Sequence, residues 1–230
     1  MRAGFPAAAR PAAALFDLDG TLVDTMPAFA DLAADVLSVR RGVDRVWART
    51  RYLETSGIPF VHQLELICPG DPDNPAASAE FEARKLAVCR STRMDRRTVA
   101  ALEELRALGL VLVVSSNTGQ AVVDEFAESE SFRFDLVLGF DPAAGLGKGA
   151  PHVERTLARF GIARRDLVLV GDSLMDAELA TRCGVAFVGR LGTFREEDFR
   201  RRDPAAVTVR HIDELVPLFA GRRTRSPGSA

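Results

Sequence analysis

Apolar residues gather along this chain in short runs, at 13–18, 110–114, 136–140, 167–170, 185–188 and 206–209, each ending among small, acidic or basic residues. Runs of this length without strict polar alternation predict strands buried on both faces, as in a parallel sheet. Between them, 98–108, 120–128, 152–160 and 173–181 carry apolar residues at helical spacing. Strand and helix therefore alternate, and the expected fold class is α/β, a doubly wound parallel sheet.

The alternation stops between 25 and 97. Phe29, Leu32, Ala33, Val36 and Leu37 recur at helical spacing, and a stretch rich in proline, Cys68-Pro-Gly-Asp-Pro-Asp-Asn-Pro75, divides one helix from the next. The expected organisation is a flexible lead-in at 1–11, an α/β core at 12–24 and 98–220, an inserted helical domain at 25–97, and a flexible tail at 221–230. The insertion leaves the sheet directly after the first strand.

Composition narrows the partners. The chain has 230 residues, 47% of them hydrophobic and 27% charged, which suits a globular protein with a sizeable core. A formal net charge of -2 provides no general footprint for nucleic acid, although arginines cluster at 200–202 and 222–225. Cys68, Cys89 and Cys183 form no metal-type pair, and no segment approaches a membrane span, so a reducing cytoplasm is expected. Among the 30 basic residues only Lys85 and Lys148 are lysines, which makes each conspicuous.

Candidate chemistry lies where strands end, since open parallel sheets bind ligands outside the carboxyl ends of their strands. Asp17 and Asp19 close the first run; an extended chain would put both on one face before Gly20 turns it away. Asp172 and Asp176 follow the strand at 167–170 at a spacing that suits one face of a helix. Carboxylates converging on a phosphate would repel it unless a hard divalent cation lay between them, and Mg2+ is the natural choice. The competing reading of each pair alone is an Asx turn or a helix cap.

Asp17-Leu-Asp-Gly-Thr-Leu-Val-Asp24 resembles the first signature of the haloacid dehalogenase superfamily, and Gly171-Asp-Ser-Leu-Met-Asp176 resembles its fourth. Leu112-Val-Val-Ser-Ser-Asn117 fits the second and Lys148 the third, while the place of the insertion resembles the helical cap of phosphoglycolate phosphatase-like members. The resemblance implies a phosphatase acting on a small phosphorylated metabolite. Asp17 would be the nucleophile that forms an aspartyl phosphate, and Asp19 the general acid and base. Magnesium would be held by the side chains of Asp17 and Asp172 and the backbone carbonyl of Asp19, with Asp176 in support. Ser116, Asn117 and Lys148 would bind the phosphoryl oxygens. Ser116 is preferred over Ser115 because Asn follows it, which leaves Ser115 to face packing. Gly149-Ala-Pro-His after the lysine departs from the Lys-Pro pattern of phosphoglycolate-type members.

The leaving group would be read by the insertion, with Arg49, Arg51, Tyr52, Phe60, Gln63 and Lys85 as candidates and the Gly57-Ile-Pro59 break as a loop facing the core. Trp47 reads as packing within the insertion, and His62, His152 and His211 as structural or surface residues. Two other functions compete. A sugar phosphomutase of the same superfamily would keep both aspartates, but it typically has Val and an early cap histidine where this chain has Thr21 and Phe29. A catalytically silent scaffold or binding module would use the fold without the chemistry.

Overall fold

A computed structural model describes residues 10–220; the expected tail at 221–230 and residues 1–9 of the expected lead-in lie outside them. Its centre is a six-stranded sheet in the order β3-β2-β1-β4-β5-β6, all pairs parallel. The strands are β1 (Ala13–Phe16), β2 (Val111–Gly119), β3 (Leu136–Phe140), β4 (Leu167–Gly171), β5 (Ala186–Arg190) and β6 (Val207–Val209). The doubly wound parallel sheet expected from the apolar runs is present.

Both faces of the sheet are covered, which explains the apolar runs. Ala14, Phe16, Leu112, Val114, Val168 and Val170 enter one hydrophobic cluster. Their alternating neighbours Ala13, Leu15, Val113, Leu167 and Leu169 enter another on the opposite face. Flanking helices α5 (Arg96–Ala107), α6 (Gln120–Ser129), α7 (Ala150–Phe160) and α8 (Leu174–Cys183) match the four expected segments to within a few residues. Asp95 accepts from the Thr98 amide and Ser173 from the Asp176 amide, so each of those two helices begins on a side-chain cap. Two short helices, α9 (Glu196–Arg202) and α10 (Leu215–Ala220), were not expected, being too brief to show a period.

Between β1 and α5 the chain forms α1 (Met26–Arg41), α2 (Arg45–Glu54), α3 (Phe60–Ile67) and α4 (Asn74–Ser91). These bury a hydrophobic cluster of their own, built on Phe29, Val36, Leu37, Tyr52, Phe60, Leu64 and Phe81. The rings of Phe60 and Phe81 lie 4.2 Å apart, with Tyr52 tilted against both. The proline-rich stretch separates α3 from α4, as expected. Trp47 is a correction. It is 38% exposed, with the Arg51 guanidinium over its ring, because it lies toward the solvent side of α2 whereas Ala48 and Tyr52 face inward.

Two strand ends also differ from expectation. β2 continues past Val114 through Ser115, Ser116, Asn117 and Thr118, whose polar side chains end the apolar run while the backbone stays extended. β1 stops at Phe16, and the Leu18 carbonyl accepts from the amides of Thr21, Leu22 and Val23. A tight turn, rather than strand pleating, therefore brings Asp17 and Asp19 to one pocket.

Candidate active site

The order of the strands positions the acidic residues. β1 and β4 are neighbours with Phe16 opposite Val170, and the Asp17 amide donates to the Val170 carbonyl at 2.8 Å. Asp17 and Asp172 thus leave adjacent parallel strands side by side, at the crevice where the strand order reverses. Asp176 joins them from the first turn of α8. One carboxylate oxygen from each of Asp17, Asp172 and Asp176 lies within 4.8 Å of the other two, and all three residues are buried.

Gly20 makes this approach possible. Its φ of +81° suits glycine, and a Cβ there would stand 2.2 Å from Asp172 Oδ2 and 2.7 Å from the Met26 side chain. Asp176 is fixed by Ser173, whose hydroxyl donates to Oδ2 at 2.6 Å and accepts from the Asp176 amide at 3.1 Å. The Thr193 hydroxyl donates to Asp172 Oδ2.

Lys148 enters the group from the loop before α7. Its Nζ is 2.7 Å from Asp17 Oδ1 and 2.6 Å from Asp176 Oδ1, with the side chain 5% exposed. Burial alone would lower its pKa; the two carboxylates overcome this, raise it and keep the ammonium charged. Three carboxylates nevertheless share one ammonium. Burial pushes Asp17 well above the usual carboxylate range, Asp176 and Asp172 push it further, and Lys148 opposes them. Asp172 is pushed up to about 7, first by burial and then by Asp176. An all-oxygen donor set with excess buried negative charge fits a hard divalent cation.

Asp19 lines the same pocket but takes no part in the three-carboxylate group. Its Oδ1 accepts from the Thr25 hydroxyl at 2.8 Å and its Oδ2 from the Thr118 hydroxyl at 3.2 Å, while Lys85 Nζ donates to that Thr118 hydroxyl at 3.2 Å. The pocket, about 70 Å3, is also lined by Ser116, Asn117, Lys148, Tyr52, Gln63 and Lys85. Thr25, Thr118 and Thr193 escaped the sequence reading. The signal available for Thr118 was a third polar residue running on from Ser116-Asn117 at a strand end.

The candidate readers in the insertion divide. Tyr52, Gln63 and Lys85 reach the pocket, but the Gln63 amide is engaged by Thr55 and the Ile58 carbonyl, which hold the 55–59 loop. Phe60 is packed in the ring cluster, Arg51 pairs with Glu54, and Arg49 pairs with Asp31 beside a different cleft. Gly57 does face the core: a Cβ there would meet Ser173 Oγ at 2.6 Å, and Asn117 Nδ2 donates to its carbonyl at 3.4 Å.

Ser115 points to the opposite face of β2 and bonds His152 Nδ1 at 2.8 Å, while Nε2 of that ring meets the Gly139 carbonyl at 3.0 Å. Burial lowers the His152 pKa from 6.5 to about 4. The unfolded chain takes up the proton first as pH falls, so the stabilisation is complete above about pH 6.5 and declines toward pH 4. His152→Gln, which keeps a donor and an acceptor without titrating, is expected to remove up to about 3 kcal/mol of pH dependence across that window. Urea midpoints of the two proteins at matched pH read the difference; parallel curves would contradict it.

A family model described as haloacid dehalogenase-like hydrolase matches residues 14–190. This chain belongs to that family. Among similar members, a phosphoglycolate phosphatase of Rhodobacter capsulatus is 29% identical over 189 residues, 76% of this chain and 82% of the relative. One of Neisseria gonorrhoeae is 27% identical over 219 residues, 90% and 91% of the two chains. In three dimensions a haloacid dehalogenase-like family hydrolase from Streptococcus pneumoniae superposes with a TM-score of 0.75 at 19% identity, covering 91% of this chain and 98% of its own. The haloacid dehalogenase-like fold is thus present over nearly all of the described residues. Among these, no helix is long and apolar enough to cross a membrane.

Proposed function

We propose that this protein is a magnesium-dependent phosphatase, which hydrolyses a small phosphorylated metabolite through an aspartyl-phosphate intermediate. The observation that carries the reading is the buried group of Asp17, Asp172 and Asp176 with a single ammonium, opening on a pocket of about 70 Å3. A structural ion pair would need one carboxylate for one lysine. Three carboxylates suit a site completed by a dication and a phosphoryl group.

In this reading Asp17 attacks phosphorus, the bond from phosphorus to the ester oxygen breaks, and Asp19 gives its proton to the departing alkoxide. Water then attacks the acyl phosphate and passes a proton to Asp19. The bond from phosphorus to Asp17 breaks, which releases phosphate and restores both residues. Thr25 and Thr118 hold the Asp19 carboxylate in place for both transfers. Lys148 and the Ser116 and Asn117 side chains present positive charge and donors to the phosphoryl oxygens. Asp17 and Asp172, with the Asp19 carbonyl and Asp176 in support, would hold magnesium, which when bound would supply charge that favours ionised Asp17 and neutralises the phosphoryl group. The helices at 26–91 act as a cap over this pocket, with Tyr52, Gly57 and Lys85 among the groups facing the leaving group.

The test is a panel of p-nitrophenyl phosphate, phosphoglycolate, sugar phosphates and nucleoside monophosphates, ranked by kcat/KM with and without magnesium. Phosphoglycolate is tried first, since two similar proteins are phosphoglycolate phosphatases. Release of free phosphate supports a phosphatase, isomerised sugar phosphate without release would show a mutase, and silence on the whole panel would leave a binding module. Magnesium has a separate signature. At a hundred times its dissociation constant it should stabilise the fold by about 2.7 kcal/mol, which is about 5–10 °C in Tm for a chain of this size. Asp172→Asn should lose that shift; an equal shift in the variant would place the cation elsewhere.

A further inference from the structure

The catalytic pocket is not the largest cavity among the described residues. A cleft of about 780 Å3 opens where β5 and β6 end, bounded by the 190–197 loop, the start of α1 and one side of α2. Its chemistry is cationic at the base. Arg190 is the last residue of β5 and stands opposite Val209 in register; the Leu191 amide donates to the Val209 carbonyl at 2.8 Å, and Arg210 follows directly. Neighbouring strands run about 4.8 Å apart, so the two arginines stand at the carboxyl ends of adjacent strands, on the same edge of the sheet as the catalytic pocket but away from its switch point, and both line the cleft. Arg195 lines the same cleft from the loop.

These three arginines have no close carboxylate partner among the described residues, although the charge of Arg190 acts at longer range on Asp172. Among the described residues, no carboxylate oxygen lies within 4 Å of the guanidinium of Arg190, Arg195 or Arg210. The other charges of the wall are partly spent: Arg49 pairs with Asp31 and Glu196 with Arg200. Asp24 and Glu197 remain as exposed acids, so the three arginines outnumber them. The Arg190 head group lies folded over Gly192, where a Cβ would stand 2.2 Å from Nη1. A guanidinium offers paired donors that match phosphate oxygens, which an isolated ammonium does not.

We propose that this cleft is a second anion site, which takes the phosphate of a small phosphorylated ligand on Arg190 and Arg210, with Arg195 closing over it from the loop. The site is separate from the catalytic pocket but touches it. Met26 lines both cavities, and Thr193, on the loop between Arg190 and Arg195, donates to Asp172. An anion that fixes this loop fixes the hydroxyl that holds Asp172.

Calorimetric titration of the full-length protein with inorganic phosphate in magnesium buffer tests the proposal. The expected result is a bound phosphate whose affinity falls at least tenfold in Arg210→Gln and in Arg190→Gln, and is unchanged in Ser116→Ala. Arg210 is exposed, so its variant should melt with the wild type and keep its kcat on p-nitrophenyl phosphate; Arg195→Gln serves as a further surface variant if Arg190→Gln fails to fold. The proposal is overturned if every bound phosphate is insensitive to Arg210→Gln and Arg195→Gln, or if the phosphate they weaken is equally lost in Ser116→Ala.

Discussion

Asp17→Asn should reduce turnover of p-nitrophenyl phosphate by about four orders of magnitude or more while leaving the protein folded. An amide nitrogen or neutral amide oxygen cannot form the acyl phosphate, and an interaction made only along the reaction path takes kcat and kcat/KM down together. The same substitution should raise the melting temperature in metal-free buffer. Asp17 is one of three buried carboxylates around one ammonium, and its ionised form is the one the fold disfavours. An isosteric neutral side chain removes that repulsion and leaves Lys148 paired with Asp176; the gain expected is about 1–2 kcal/mol. The two readouts separate the possible failures. Turnover within tenfold of wild type would remove Asp17 from the nucleophile's role, whereas a lost melting transition would show that the Lys148 to Asp17 pair holds the fold.

The sheet was legible in the sequence because its strands are buried on both faces, and burial on both faces leaves an unbroken apolar signature at 111–114 and 167–170. The same physics hid the last residues of β2. Ser115, Ser116 and Thr118 satisfy their hydroxyls on His152, on the Thr118 amide and on Asp19, so they can be both polar and buried, while Asn117 between them is exposed. Among site residues, Asp17, Asp172, Asp176 and Lys148 could be selected from spacing and motif. Their convergence could not, because it depends on β1 and β4 being neighbours although about 150 residues of chain separate them. Thr25 and Thr193 gave no signal at all: a lone threonine in a turn has many uses, and only the third dimension shows that each points at a carboxylate.

Lys148→Met is expected to cost about 3–5 kcal/mol in metal-free buffer at pH 7, the usual penalty for breaking a buried ion pair by removing one partner. A solvated loop lysine between two glycines would cost less than about 0.5 kcal/mol to replace, whereas the sequence singles Lys148 out for a place at the phosphoryl oxygens. The structure separates these expectations, since the ammonium is buried and touches both Asp17 and Asp176. Methionine fills similar volume but leaves three carboxylates facing one another, so protons or metal must replace the missing charge. Magnesium should therefore recover more stability in the variant than in wild type, which a pair of thermal titrations reads directly. Turnover should still fall about a hundredfold to a thousandfold at saturating magnesium, because a preorganised donor to the phosphoryl oxygens is gone. A variant restored by magnesium in stability and also in kcat would assign Lys148 to charge balance alone.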